Sequence, residues 1–123
     1  MNKKEAAAAF LKMAGTGGVE EAYAKFIAPG FVHHNQYFKG DRESLKAAMT
    51  AAHQASPNKA VEVKRSFEDG NFVVTHSLVV RGNPAEPNIS VVHIFRFEGD
   101  KVAELWDVAQ LLNADSPNEN GPF

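Results

Sequence analysis

The chain has 123 residues, a formal net charge of -2, 44% hydrophobic and 23% charged residues. That composition fits one globular domain with one core. It gives no electrostatic reason to expect nucleic acid or an anionic membrane as a partner. The chain has no cysteine, so disulfides and thiolate chemistry are excluded, while the compartment is left open.

No stretch reaches the roughly 20 apolar residues that span a bilayer. The segment MNKKEAAAAFLKMAG faintly imitates a leader, but Glu5 and Lys12 interrupt it. It reads as an amphipathic helix, and a cytoplasmic location is expected. Asn88-Ile89-Ser90 matches a glycosylation sequon, and nothing else in the sequence points to secretion.

The first half of the chain reads as helices and the second half as strands, a segregation that predicts an α+β fold. Helix one is expected over about Lys3 to Ala14, stopped by Gly15, Gly17 and Gly18. Helix two starts at Val19, with Val19, Ala22, Tyr23, Phe26 and Ile27 on one stripe, and ends at Pro29-Gly30. The piece FVHHNQYFKG follows, apolar and aromatic with polar residues in its middle. Helix three starts at Asp41, a good N-cap, carries Leu45, Ala48, Met49 and Ala52 on one face, and stops at Ser56-Pro57-Asn58.

Thereafter the pattern alternates with a period of two. Strands are expected at about Ala60–Glu68, Phe72–Arg81, Ile89–Glu98 and Lys101–Leu112. Asp69-Gly70 and Gly99-Asp100 signal tight turns, while the connection Gly82–Asn88 is longer. The expected result is an antiparallel meander with helices on one face. Residues 1–114 make the domain, and residues 115–123, rich in Asn and Pro, are expected to be a mobile tail.

Residues two apart in a strand share a face. In the second strand Phe72, Val74, His76, Leu78 and Val80 form the more apolar face, with His76 at its centre. In the third, Ile89, Val91, His93, Phe95 and Phe97 share a face. In the fourth, Ala103, Leu105, Asp107, Ala109 and Leu111 do so. Each row holds one titratable residue. Burying such a group costs several kcal/mol unless it is paired or solvated. A lone histidine on an apolar face is usually a satisfied core residue, but three titratable groups in adjacent strands suggest a shared polar site in an apolar cavity. His33-His34-Asn35 reads equally as surface or site. His53 is expected in solvent, and Trp106 on the opposite face from Asp107, beside Val108 and near Val102, where a second subunit would cover it.

The pieces FVHHNQYFKGDRESLKAA, VVTHSLVVRG and VVHIFRFEGDKVAELWDVAQ, in this order after two helices, resemble the SnoaL-like family of the nuclear transport factor two-like superfamily. The resemblance runs from helix one to Leu112. It implies a cone-shaped, cystatin-like barrel in which a curved antiparallel sheet wraps around the N-terminal helices. Polyketide cyclases that close rings by aldol condensation belong to this family; ketosteroid isomerase, dehydratases and epoxide hydrolases share the wider fold. His34-Asn35 matches the family's His-Asn pair, His76 a His of the long second strand, and Trp106, Asp107, Val108 and Gln110 its Trp-Asp-Val-x-Gln. Two positions depart. His93 stands where relatives often carry Asp, and Leu105 where they often carry His.

The resemblance implies proton abstraction beside a carbonyl, then aldol closure or isomerisation. Asp107 is the expected base, since an apolar cavity strengthens a carboxylate as a base. His76 and His34 are the expected donors to the enolate oxygen, Asn35 orients one of them or the substrate, and His93 hydrogen-bonds Asp107. Phe72, Leu78, Phe95, Phe97 and Leu105 supply the walls. The scheme calls for no cofactor. The expected partners are a small apolar or carbonyl-containing molecule and, through sheet-to-sheet pairing implied by the resemblance, a second copy of the chain. Two other readings stand beside it: a non-catalytic module that binds a small apolar ligand, and a metal site built from His34, His76, His93 and Asp107.

Overall fold

The computed structural model describes all residues, 1–123. Its elements are α1 (Lys3–Gly15), α2 (Val19–Phe26), β1 (Ile27–His33), α3 (Arg42–Ala55), β2 (Ala60–Asp69), β3 (Phe72–Val80), β4 (Ile89–Glu98) and β5 (Lys101–Leu111). The five strands form one sheet in the order β1-β5-β4-β3-β2. The four strands of the expected meander pair antiparallel, and β1 adds a parallel pairing to β5. The fold is the expected α+β type.

Local chemistry explains the helix starts. Asn2 caps α1 with a reciprocal box: its side chain accepts from the Glu5 N–H, and the Glu5 carboxylate accepts from the Asn2 N–H. Asp41 caps α3 by accepting from the Ser44 N–H and hydroxyl. The tight turns fall where expected, with Gly70 at φ 58° and Gly99 at φ 62°, angles that favour glycine.

Helix two is shorter than its apolar stripe predicts. It stops at Phe26, and Ile27 already sits in β1 opposite Val102. The pairing then slips, so that Val32 faces Glu104 and His33 faces Leu105. Pro29 lies within that slip, where a missing N–H removes no ladder bond.

Phe10, Tyr23, Phe26, Phe31, Leu45, Val73, Phe95, Phe97, Val102 and Leu105 belong to one buried cluster between the helices and the sheet. Phe10 meets Phe95 edge-on at 6.4 Å and Tyr23 at 5.7 Å. Burial raises the Tyr23 phenol well above its ordinary value. His53, expected in solvent, is half-buried beneath the α1–α2 turn: a side chain on Gly17 would collide with its ring, and its Nδ1 has no hydrogen-bond partner in the protein. No helix is long and apolar enough to cross a membrane.

Candidate functional site

Register decides which side chains meet. Thr75 pairs with His93, and His93 with Asp107, so these three form one row across β3, β4 and β5. The next row toward the core is Val73, Phe95 and Leu105, all buried. On the other side Ser77 pairs with Val91 and Val91 with Ala109. The helix-facing side of the sheet therefore runs from packed aromatic core, through a polar row, to an open end where Ala109 and Leu111 are exposed.

This placement corrects the face assigned to β3. Its inward residues are Val73, Thr75 and Ser77, each fully buried, while Phe72 is 41% exposed. The larger apolar residues Phe72, Val74 and Leu78 lie with His76 on the convex side. The inward rows of β4 and β5 are as expected: Phe95, Phe97 and Leu105 are buried walls, and His93 and Asp107 share their face. Val102 differs, being buried rather than beside Trp106, because a bulge shifts the β4–β5 register between Arg96 and Phe97.

Two of the expected site histidines are on the wrong side of the sheet to meet Asp107. The His76 ring accepts from Arg65 at Nδ1, meets the Ser90 hydroxyl through Nε2 at 2.9 Å, and lies against the Phe123 ring at 4.8 Å. His34 stacks flat on Trp106, 4.8 Å between ring centres, and its Nε2 meets Glu104 at 2.6 Å. Hydrogen bonds from His34 and then Arg96 hold the Glu104 carboxyl below its ordinary range. The inward histidine of the pair is His33, 5% exposed, which is not among the expected site residues. Its signal was parity: Phe31 and His33 lie two apart on one strand face.

Asn35 reaches Asp107 from the loop after β1. Its Nδ2 donates to Asp107 Oδ2 at 3.0 Å, and its own Oδ1 accepts from the Tyr37 N–H. His93, expected to bond Asp107, makes no such bond. Its Nδ1 is sealed from solvent without a partner, as are Thr75 Oγ1 and Ser77 Oγ. Burial pushes the His93 ring down to about 4, with the Asp107 charge opposing. At neutral pH His93 is therefore uncharged, with one ring nitrogen to donate and one to accept.

The four residues considered as metal ligands split between the faces, two on each. No three His, Asp or Glu side chains stand close enough together to hold a metal ion. Two open clefts lie elsewhere. One, of about 820 Å³, is bounded by the β3–β4 connection and the chain beyond β5, including Asn83, Asn88, Asn113 and Asn118. The other, of about 460 Å³, lies between Met1–Lys3 and the β4–β5 turn. Neither is lined by Asn35, Thr75, His93 or Asp107.

The sequence matches the model of the SnoaL-like domain over residues 7–105. The chain belongs to the SnoaL-like family. The matched span runs from within α1 through α2, α3 and β1 to β4, and ends at Leu105 within β5. No curated protein matches the sequence. Among solved structures, this SnoaL-like domain is similar to an uncharacterised cystatin-fold protein from Novosphingobium aromaticivorans, at 22% identity and TM-score 0.74, covering 88% of this chain and 98% of that one. It is similar to a candidate polyketide cyclase from Acidithiobacillus ferrooxidans, at 22% identity and TM-score 0.70, covering 89% and 91%. It is also similar to a candidate hydroxylase from Streptomyces galilaeus, at 20% identity and TM-score 0.70, covering 89% and 81%. At these identities the likeness establishes the fold alone.

Proposed function

We propose that this SnoaL-like domain binds a small carbonyl compound on the concave face of its sheet and removes a proton beside the carbonyl. The observation that carries the reading is a set of three buried polar atoms without protein partners, Thr75 Oγ1, Ser77 Oγ and His93 Nδ1, set beside the Asn35–Asp107 pair. Buried polar groups are normally satisfied within the protein or by water, so a cluster of free ones is suited to a polar ligand. Phe95 and Leu105 supply the apolar floor.

In this reading Asn35 holds one oxygen of Asp107, and the other oxygen takes the α-proton. The electron pair moves to the carbonyl oxygen, where the Thr75 hydroxyl or the neutral His93 ring donates to the enolate. His34 and His76, on the opposite face, take no part. Polyketide cyclase-like aldol closure and isomerisation both begin with this step.

Hydrogen exchange tests it without the natural substrate. The α-hydrogens of an aromatic ketone such as 1-tetralone should exchange with D2O faster in the presence of the protein. Asp107→Asn should remove that acceleration, within the roughly 10²–10⁴-fold range of general-base catalysis. Saturable binding of the ketone without exchange would instead favour a non-catalytic binding module.

We also propose that the convex face pairs with a second copy of the chain. Val108 is 72% and Phe67 61% exposed there, beside Phe72 and Trp106. Sedimentation should give a dimer, and Val108→Lys a monomer.

A further inference from the structure

We propose that His33 is a positioning residue, a two-ended latch that fixes the loop carrying Asn35 and thereby aims the Asn35 amide at Asp107. The importance of that aim rests on the reading of Asp107 above; the latch itself does not.

His33 is the last residue of β1, buried opposite Leu105, with its ring stacked against Phe31 at 6.4 Å. Both ring nitrogens are engaged by the loop that follows. Nδ1 accepts from the Asn35 backbone N–H at 3.1 Å, and Nε2 meets the Lys39 carbonyl at 2.5 Å. A backbone N–H needs an unprotonated Nδ1, and a carbonyl needs a protonated Nε2, so the hydrogen-bond network assigns the Nε2–H tautomer. The backbone closes the same loop, His33 N–H donating to the Gly40 carbonyl at 3.2 Å. One rigid ring thus ties together positions two and six residues downstream.

Asn35 has little freedom left inside this frame. Its backbone is held by His33 and its Oδ1 by the Tyr37 N–H, which turns Nδ2 toward Asp107. Asn35 is the side chain that hydrogen-bonds Asp107, so the orientation of that carboxylate depends on the latch. A positioning role of this kind belongs to the supporting residues that hold a working group in its geometry.

Two substitutions separate the ends of the latch. In His33→Asn the side-chain oxygen can take the place of Nδ1 and keep the Asn35 contact. In His33→Gln the amide can take the place of Nε2 and keep only the Lys39 contact. The readout is the Asn35 side-chain amide proton pair in a ¹H–¹⁵N spectrum, assigned by its loss in Asn35→Ala. Asp107→Ala marks its position without the carboxylate. His33→Gln should move the pair toward the Asp107→Ala position, and His33→Asn should hold it near the wild-type position. A folded His33→Gln protein with the wild-type signal would overturn the proposal. A long-range ¹H–¹⁵N spectrum of the unaltered protein gives a second test that needs no variant to fold. Nδ1 should be unprotonated and Nε2 protonated near neutral pH, and the opposite tautomer would overturn the latch. Should ketone exchange be absent while the Asn35 signal follows His33 as described, the latch stands and the reading of Asp107 as a base fails.

Discussion

Asn35 and Asp107 stand 72 positions apart and meet at 3.0 Å, the Asn35 side-chain amide donating to the Asp107 carboxylate. The parallel pairing of β1 with β5 makes this meeting possible, because it sets the end of β1 beside Leu105 and the loop beyond it beside Asp107. Removing the amide leaves a half-buried carboxylate with one hydrogen bond fewer. Asn35→Ala should cost about 1.5 kcal/mol in urea unfolding, the lower end for a bond to a charged group. It should also slow ketone exchange by about tenfold or more, through loss of orientation. Unchanged exchange would separate Asn35 from the chemistry.

His93 predicts a pH dependence of stability. Its folded-state value is pushed down to about 4 from 6.5, first by burial. As pH falls, the unfolded chain takes up this proton before the folded one does. Stability therefore rises with pH between about 4 and 6.5 and is lost on going down through that window. The full shift corresponds to about 3.5 kcal/mol at roughly 1.4 kcal/mol per unit. The carboxylates that are held low, Asp41, Glu86 and Glu104, act mainly below this window. In unfolding experiments at pH 7 and pH 4.5, His93→Leu should lose much less stability on acidification than the unaltered protein. An equal loss would show that His93 is not the group responsible.

Thr75 separates stability from function. Its hydroxyl is buried without a protein partner, and Val has nearly the same shape. An unsatisfied buried hydroxyl costs about 1–3 kcal/mol. Thr75→Val should therefore raise stability by about 1 kcal/mol while weakening ketone binding. Calorimetry and binding of 1-tetralone read the two effects independently. A gain in stability with binding intact would remove Thr75 from the site.

The two faces of the sheet make opposite predictions for His34 and Asp107. His34 and Glu104 pair on the convex side, with His34 largely exposed and Glu104 half-buried, and pairs open to solvent contribute little. His34→Ala should leave ketone exchange within about threefold of normal, whereas Asp107→Asn should abolish its acceleration. Equal losses in the two variants would contradict the assignment of faces.

The period-two pattern located β2 to β5 and their glycine turns within a residue or so, and the stop signals located the ends of α1 and α3, while Pro29-Gly30 lies inside β1 and not at the end of α2. It also found the rows that carry His93 and Asp107. Alternation identifies two faces without saying which is inside. In β3 the larger apolar row, Phe72, Val74 and Leu78, covers the convex side, and the smaller row, Val73, Thr75 and Ser77, lies beneath the helices. His34 enters through the resemblance, as half of a His-Asn pair; that His33 is the inward one depends on β1, whose facing comes from a parallel partner about 70 residues away that no local signal encodes. The bulges at Val63/Arg65 and Arg96/Phe97 shift the phase within strands that look regular in sequence. The residue types were legible, a carboxylate at Asp107, an amide at Asn35 and a histidine at His93; which of them meet is set by long-range register.

The most direct test of the central claim is a ¹H–¹⁵N titration of the protein with 1-tetralone. The account predicts saturable shifts at the Asn35 side-chain amide and at the backbone amides of Thr75, Ser77, His93 and Asp107. Shifts confined to the cleft bounded by Asn83, Asn88, Asn113 and Asn118, or to the convex residues His34, His76 and Trp106, would contradict it.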